Sequence, residues 1–194
     1  REGMDRVRKI VQDLRDFSQV DRAGQRQRAD INHCLETTVN LLRARLPPGV
    51  RIHCQPGEVP EIECSPADLN QVFVNLLNNA LQALGGEGDI SVRSGMADDC
   101  LWVEIEDTGV GIPEAVLPNI FDPFFTTRPV GQGVGLGLST AYGVVQQHGG
   151  RIDVKSRSGA GTVFRVTLPS SVPRPGPWAK DVAPGLGEAS QAWQ

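Results

Sequence analysis

The sequence predicts a two-layer α+β sandwich preceded by a bundle helix, and three observations carry that prediction. Leu101, Val103 and Ile105 alternate strictly with Trp102, Glu104 and Glu106, as in a strand with one buried face. The stretch "SPADLNQVFVNLLNNALQALGG" repeats its apolar residues at helical spacing. Helices and strands also interleave in mixed order and close on a hairpin, so the helices are expected on one face of a largely antiparallel sheet. With 194 residues, 39% of them hydrophobic and 22% charged, the chain can bury one core and carry appendages.

Element by element, residues 1–20 place Met4, Val7, Val11, Leu14 and Phe17 or Ser18 at alternating steps of three and four, the pattern of a helical bundle seam. A single amphipathic helix lying on its own domain is the alternative. "DRAGQRQR" then reads as a linker, and residues 31–46 as a helix stopped by Pro47 and Pro48. "VRIHCQ" and "EIEC" read as short strands. Ser65 supplies an N-cap and Pro66 a first helical residue for the long helix, which Gly85 and Gly86 close. Its apolar face is Leu69, Val72, Phe73, Leu76, Leu77, Ala80 and Leu84, while Gln71, Asn75, Asn78, Asn79 and Gln82 gather opposite. "DISVRSG" and "LWVEIEDTG" are strands, the second ending at Asp107. A connection over residues 108–134 is too long to be idle. A helix over residues 136–148 and the hairpin "RIDVKS" and "TVFRVTL" around "RSGAG" complete the domain.

The formal charge of -4 and pI near 5.4 argue against nucleic acid as the main partner, which calls for a concentrated basic face. Cys34, Cys54, Cys64 and Cys100 form no C-x-x-C pair, so neither a zinc site nor a disulfide framework is suggested and a reduced cytosolic setting is expected. There is no apolar run of membrane-spanning length and no signal peptide. The chain opens at Arg1, which predicts a piece of something longer.

Three constellations point to chemistry. Asn75 and Asn79 lie four apart, so their carboxamides share one helix face; amide oxygens suit Mg2+, which keeps waters and borrows phosphate oxygens, although a solvated polar face is the plainer reading. Asp107 precedes Thr108-Gly109-Val110-Gly111, where a carboxylate can accept from an exocyclic amine while glycines admit a flat ring, or can simply make an Asp-Gly turn. Gly131, Gly133, Gly135 and Gly137 lead into a helix start whose free N–H groups attract anions. Phe121, Phe124 and Phe125 crowd one loop, either as core or as anchors of a movable segment. Arg128 is either an exposed charge or a phosphate contact. Together these make a nucleotide pocket.

In order, "NLLNNA", "DTGVGI", "FDPFFTT" and "GQGVGLGLS" resemble the catalytic ATP-binding domain of sensor histidine kinases, a Bergerat-type fold of the gyrase and mismatch-repair ATPase superfamily, nearest to the nitrogen-regulation type. The resemblance covers residues 30–169. It implies ATP or ADP with Mg2+ as cofactors, Asn75 and Asn79 as the catalytic asparagine box, Asn79 as metal ligand and Asn75 near the phosphates. It implies Asp107 on the adenine amine, Gly109 and Gly111 as the first glycine box, Phe121, Phe124 and Phe125 as the phenylalanine box, and Gly133, Gly135 and Gly137 as the second glycine box against the phosphates. Ile112, Thr126, Thr127, Arg128, Val134, Leu136 and Leu138, which flank these motifs, complete the expected nucleotide-binding set; Arg128 stands where relatives often carry lysine.

The resemblance also divides the chain: residues 1–22 as the end of a dimerisation hairpin, 23–29 as linker, 30–169 as catalytic domain and 170–194 as a Pro/Gly-rich tail, in which Trp178 and Trp193 suggest docking. It implies a cytoplasmic fragment of a kinase, the parent being either membrane-anchored or not, that partners its own dimerisation domain, a second subunit in a homodimer and a response-regulator receiver domain, with no nucleic acid and no direct membrane contact from this fragment. Hydrolysing relatives carry glutamate where Asn75 stands, and an amide cannot take a proton from water. His33, His53 and His148 match no phosphoacceptor motif and read as structural, so the acceptor histidine is expected upstream. The rivals are a nucleotide-responsive binding module without transfer and an ATP-hydrolysing relative of gyrase.

Overall fold

The computed structural model describes residues 25–127 and 134–170; the expected bundle helix, the tail with Trp178 and Trp193, Arg128, Gly131 and Gly133 lie outside the described residues. Its elements are β1 (Gln27–Ala29), α1 (Ile31–Arg43), β2 (Gly49–Gln55), β3 (Ile62–Cys64), α2 (Pro66–Ala83), β4 (Glu87–Ala97), β5 (Cys100–Asp107), a 3-10 turn (Glu114–Asn119), α3 (Gly137–Gln147), β6 (Arg151–Ser156) and β7 (Thr162–Pro169). Five strands form one sheet in the order β2-β4-β5-β7-β6. Only β2 and β4 run parallel within it; the other pairs are antiparallel. The expected two-layer α+β sandwich is what forms.

Local chemistry explains the helix boundaries. Asp30 caps α1 by accepting the Asn32 N–H at 2.8 Å, and Ser65 caps α2 by accepting from Asp68 N–H at 3.4 Å, each satisfying a donor that the first helical turn leaves free. Helix α1 ends at Arg43 rather than running to residue 46, its chain continuing only through turn bonds from Arg45 N–H to Leu42 O and Leu46 N–H to Arg43 O. Leu69, Val72, Phe73, Leu76 and Leu77 of α2 are completely buried, each stabilising the fold by about 1.5–3 kcal/mol relative to exposure. Facing them, Leu101, Val103 and Ile105 of β5 are buried while Trp102, Glu104 and Glu106 are half-buried on the other face. There Arg165 donates to Glu104 at 2.7 Å and lies 4.7 Å from the Trp102 ring centroid.

One boundary is a correction. Residues 27–29, expected as the end of a linker, form β1 and pair antiparallel with β3, Arg28 opposite Glu63. A polar three-residue strand has no pattern of its own; its partner defines it.

The histidines divide by environment. His33 is exposed on α1, and His53 on β2 places Nε2 2.9 Å from Asp89 Oδ1. Arg51 and His53 hold the Asp89 carboxyl well below the usual carboxylate range. His148 is buried, with Nδ1 2.8 Å from Val144 O and Nε2 accepting the Ser65 N–H at 3.0 Å. Because a carbonyl only accepts and an N–H only donates, the proton sits on Nδ1. Burial pulls its pKa below the ordinary value, and the ring ties the end of α3 to the cap of α2.

Candidate functional site

A cavity of about 600 Å³ opens between α2, the loop after β5 and the start of α3. Its first wall is the polar side of α2, with Gln71, Asn75, Asn78, Asn79 and Gln82. The helix buries its apolar residues against the sheet, so the carboxamides must face away from it. Asp107 at the end of β5 lies deep in the cavity, 4% exposed, with Thr162 and Phe164 beside it. The register that sets Asp107 opposite Thr162 brings those two β7 residues to the site.

Asp107 Oδ1 accepts the Gly109 N–H at 2.8 Å. Burial pushes the carboxyl pKa up, opposed by backbone N–H donors from Gly109 and Thr162, so the group is anchored and still a strong acceptor. Val110, Ile112, Val116, Ile120 and Phe125 give the loop wall an apolar surface, continued by Gly111, Thr126 and Thr127. Val134, Gly135, Leu136, Gly137, Leu138 and Thr140 form the wall at the start of α3, whose first residue follows an N-cap without a side-chain cap.

The structure therefore brings Asn75, Asn79, Asp107, Gly111, Ile112, Phe125, Thr126, Thr127, Val134, Gly135, Leu136, Gly137 and Leu138 to one cavity. Gly109 and Phe121 are not on its lining; their neighbours are the end of α2 and Tyr142. A Cβ at Gly109 would stand 2.6 Å from the Ala83 backbone, where the loop crosses the end of α2 and Val110 N–H bonds Ala83 O at 3.1 Å. Phe121 stacks on Tyr142 with centroids 5.3 Å apart. Phe124, also expected among the anchors, is exposed and adopts a φ of 67°, and its N–H bonds Gly135 O at 3.0 Å. Arg128 and Gly133 lie outside the described residues.

Residues that sequence reasoning did not assign also line the cavity: Arg45, Gln71, Gln82, Val110, Thr140, Thr162 and Phe164. Gln71 and Gln82 carry a signal, the polar helix face; Arg45 and the β7 pair arrive through tertiary placement that no local pattern encodes. Arg45 is exposed, and it is the basic residue on the described lining.

Asn75 Nδ2 donates to Gly137 O at 3.0 Å, and Gln71 Nε2 donates to Asn75 Oδ1 at 3.2 Å. No group of three His, Cys, Asp or Glu gathers among the described residues, so a cation here would draw on amide oxygens and on oxygens its own ligand brings. The cavity thus offers a buried carboxylate for an amine, an apolar strip for a flat ring and a helix start for an anion. No helix of the described residues is long and apolar enough to cross a membrane.

Comparison with known proteins places this geometry among relatives. The sequence model of the family described as "Histidine kinase-, DNA gyrase B-, and HSP90-like ATPase" matches residues 64–172. Sensor histidine kinase ZraS of Escherichia coli (strain K12) is 41% identical over 119 residues, 61% of this chain and 25% of that protein. Signal transduction histidine-protein kinase AtoS of the same strain is 35% identical over 172 residues, 86% of this chain and 27% of that protein. The chain spans about a quarter of the length of these two relatives. The solved structure of histidine kinase ThkA in complex with the response regulator protein TrrA superposes with a TM-score of 0.72 at 26% identity, covering 87% of this chain and 48% of that one.

Proposed function

The chain belongs to the histidine kinase-, DNA gyrase B- and HSP90-like ATPase family, and on that premise we propose that it binds Mg-ATP in this cavity as the catalytic part of a sensor histidine kinase. It presents the γ-phosphate to a histidine of the kinase's own dimerisation hairpin in a homodimer, and the phosphoryl group passes on to an aspartate of a response-regulator receiver domain. Residues 1–22 belong to that hairpin and residues 30–169 to the catalytic domain, in a cytoplasmic setting.

The observation that carries this reading is one cavity holding a buried, backbone-anchored Asp107 at the strand end and an amide-lined wall facing a helix start. Asp107 accepts from the adenine amine, Val110, Ile112, Val116 and Ile120 cover the ring, and the first turn of α3 takes the phosphates with Arg45 at the rim. The absence of a carboxylate cluster among the described residues and the half-buried amide of Asn79 fit a metal that arrives with the nucleotide; Asn79 would hold Mg2+, which would supply charge neutralisation. Phosphoryl transfer asks chiefly for such positioning and neutralisation. Position 75 carries an amide, which cannot activate water as a base, so the chain holds ATP for another nucleophile instead of hydrolysing it quickly.

Calorimetry with Mg-ATP tests the site. Asp107→Asn puts an N–H2 where the acceptor stands and should weaken binding by about 10–100-fold, the equivalent of roughly 1.5–3 kcal/mol for a hydrogen bond to a charged group. Asn79→Ala should weaken Mg-ATP binding while leaving adenosine binding unchanged. Unaltered Mg-ATP affinity in both variants overturns the assignment. Adding the upstream hairpin with labelled ATP should give acid-labile phosphohistidine; its absence reduces the chain to a nucleotide-responsive binding module.

A further inference from the structure

The Asn75 carboxamide joins α2 to α3, and its orientation is dictated by chemistry. It faces Gly137 O at 3.0 Å. A carbonyl oxygen only accepts, so the Asn75 atom turned toward it is the nitrogen. The Asn75 oxygen is then turned to Gln71, which must offer its own nitrogen, at 3.2 Å. Gln71 and Asn75 are four apart on α2, the spacing at which helix side chains meet. Three groups are thereby ordered in series from a backbone atom whose polarity cannot be exchanged. All three line the cavity.

Resting on the reading that this cavity takes Mg-ATP, we infer that Gln71 is a positioning residue: it commits the Asn75 carboxamide to Gly137 O and so sets the first turn of α3 against the amide wall where the phosphates are received. Two consequences follow. One lone pair of the Asn75 oxygen is engaged by Gln71 within the protein, which holds that oxygen in a fixed direction along the amide wall. An ionised carboxylate at position 75 cannot donate to Gly137 O, so in this chain the contact between α2 and α3 depends on an amide there.

Gln71→Glu provides the test, because its two protonation states behave oppositely. An ionised Glu only accepts, so Asn75 must turn its nitrogen toward it and leave oxygen against Gly137 O. A protonated Glu regains an O–H donor and restores the series. Mg-ATP binding by Gln71→Glu, measured as a ratio to the unmodified protein at each pH, should be about tenfold weaker at pH 8 and return toward unity at pH ~4, below the ordinary glutamate pKa of about 4.3, where the carboxyl is largely protonated. Gln71→Leu should be weakened by a similar factor at both. Adenosine, which has no phosphate, should bind both variants as it binds the unmodified protein.

A Gln71→Glu ratio near unity at pH 8, or an equal loss for adenosine and Mg-ATP, overturns the positioning role. Failure of the unmodified protein to bind Mg-ATP overturns the functional reading instead. Should a variant fail to fold, the unmodified protein still decides: a magnetic coupling across the hydrogen bond from Asn75 Nδ2 to the Gly137 carbonyl carbon is expected by NMR, and its absence refutes the series.

Discussion

Gly109 and Gly111 after Asp107, and Gly135 and Gly137 at the start of α3, read as equivalent punctuation in the sequence, yet they meet quite different surroundings. A Cβ at Gly111 would stand 2.0 Å from Arg157 O, at a φ of 67°. One at Gly109 would lie 2.6 Å from the Ala83 backbone. One at Gly135, where φ is 73°, would lie 2.5 Å from the backbone of Phe124 and Phe125. At Gly137 the nearest atoms belong to Asn75, at 3.8 Å, an ordinary contact. Three of these glycines are demanded by other backbone of the same protein. The fourth has room, and the fold gives no steric reason for it. Glycine richness beside a cavity therefore mixes two causes, and only the geometry at each position separates them.

The comparison is broken most readily at Gly111. Alanine there must adopt a left-handed backbone and intrude on a carbonyl in the turn between β6 and β7, which is braced by the Ile112 N–H bond to Ser156 Oγ at 2.8 Å. Strain and overpacking together should cost on the order of 3–5 kcal/mol, read as a drop in the denaturant midpoint. A loss below about 1 kcal/mol would mean that the turn yields, and that Gly111 owes its identity to ligand approach after all.

Gly135→Ala should cost less, about 2–3 kcal/mol. The φ is as unfavourable, but the opposing backbone is the loop carrying exposed Phe124, itself at a φ of 67°, and it can give way more easily than the β-turn. Equal losses at the two positions, measured in the same denaturation series, would show that the Phe124–Phe125 segment is as rigid as the sheet.

What was legible in the sequence was local. Helix α2 announces itself through the Ser65 cap, Pro66 and a 3.6-residue period, and the polar side of that period is the amide wall. Asp107 is marked by ending an alternating strand. What was not legible depends on partners distant along the chain. Strand β1 exists because Ile62–Cys64 lies beside it. Thr162 and Phe164 reach the cavity only through the register with β5. The need for glycine at 109 comes from the end of α2, whose Ala83 backbone stands where a Cβ would. Asn75 was read with Asn79, its helical neighbour, whereas its decisive contact, Gly137 O, is 62 residues away.

The sharpest form of the comparison is Gly137→Ala, where the expected effect on stability is the smallest. Position 137 begins α3, alanine is the better helix former, and the added methyl meets only the Asn75 side chain at ordinary contact distance. Stability should change by no more than about 0.5–1 kcal/mol, with a gain as the favoured sign. Mg-ATP affinity should nonetheless fall about tenfold, roughly 1.4 kcal/mol, because the methyl occupies the wall where the first turn of α3 receives phosphate, while adenosine binding stays constant. A stable Gly137→Ala protein that binds Mg-ATP normally would move the phosphates away from this helix start. A stable protein that loses Mg-ATP alone would separate the glycine kept for the ligand from the three kept for the fold.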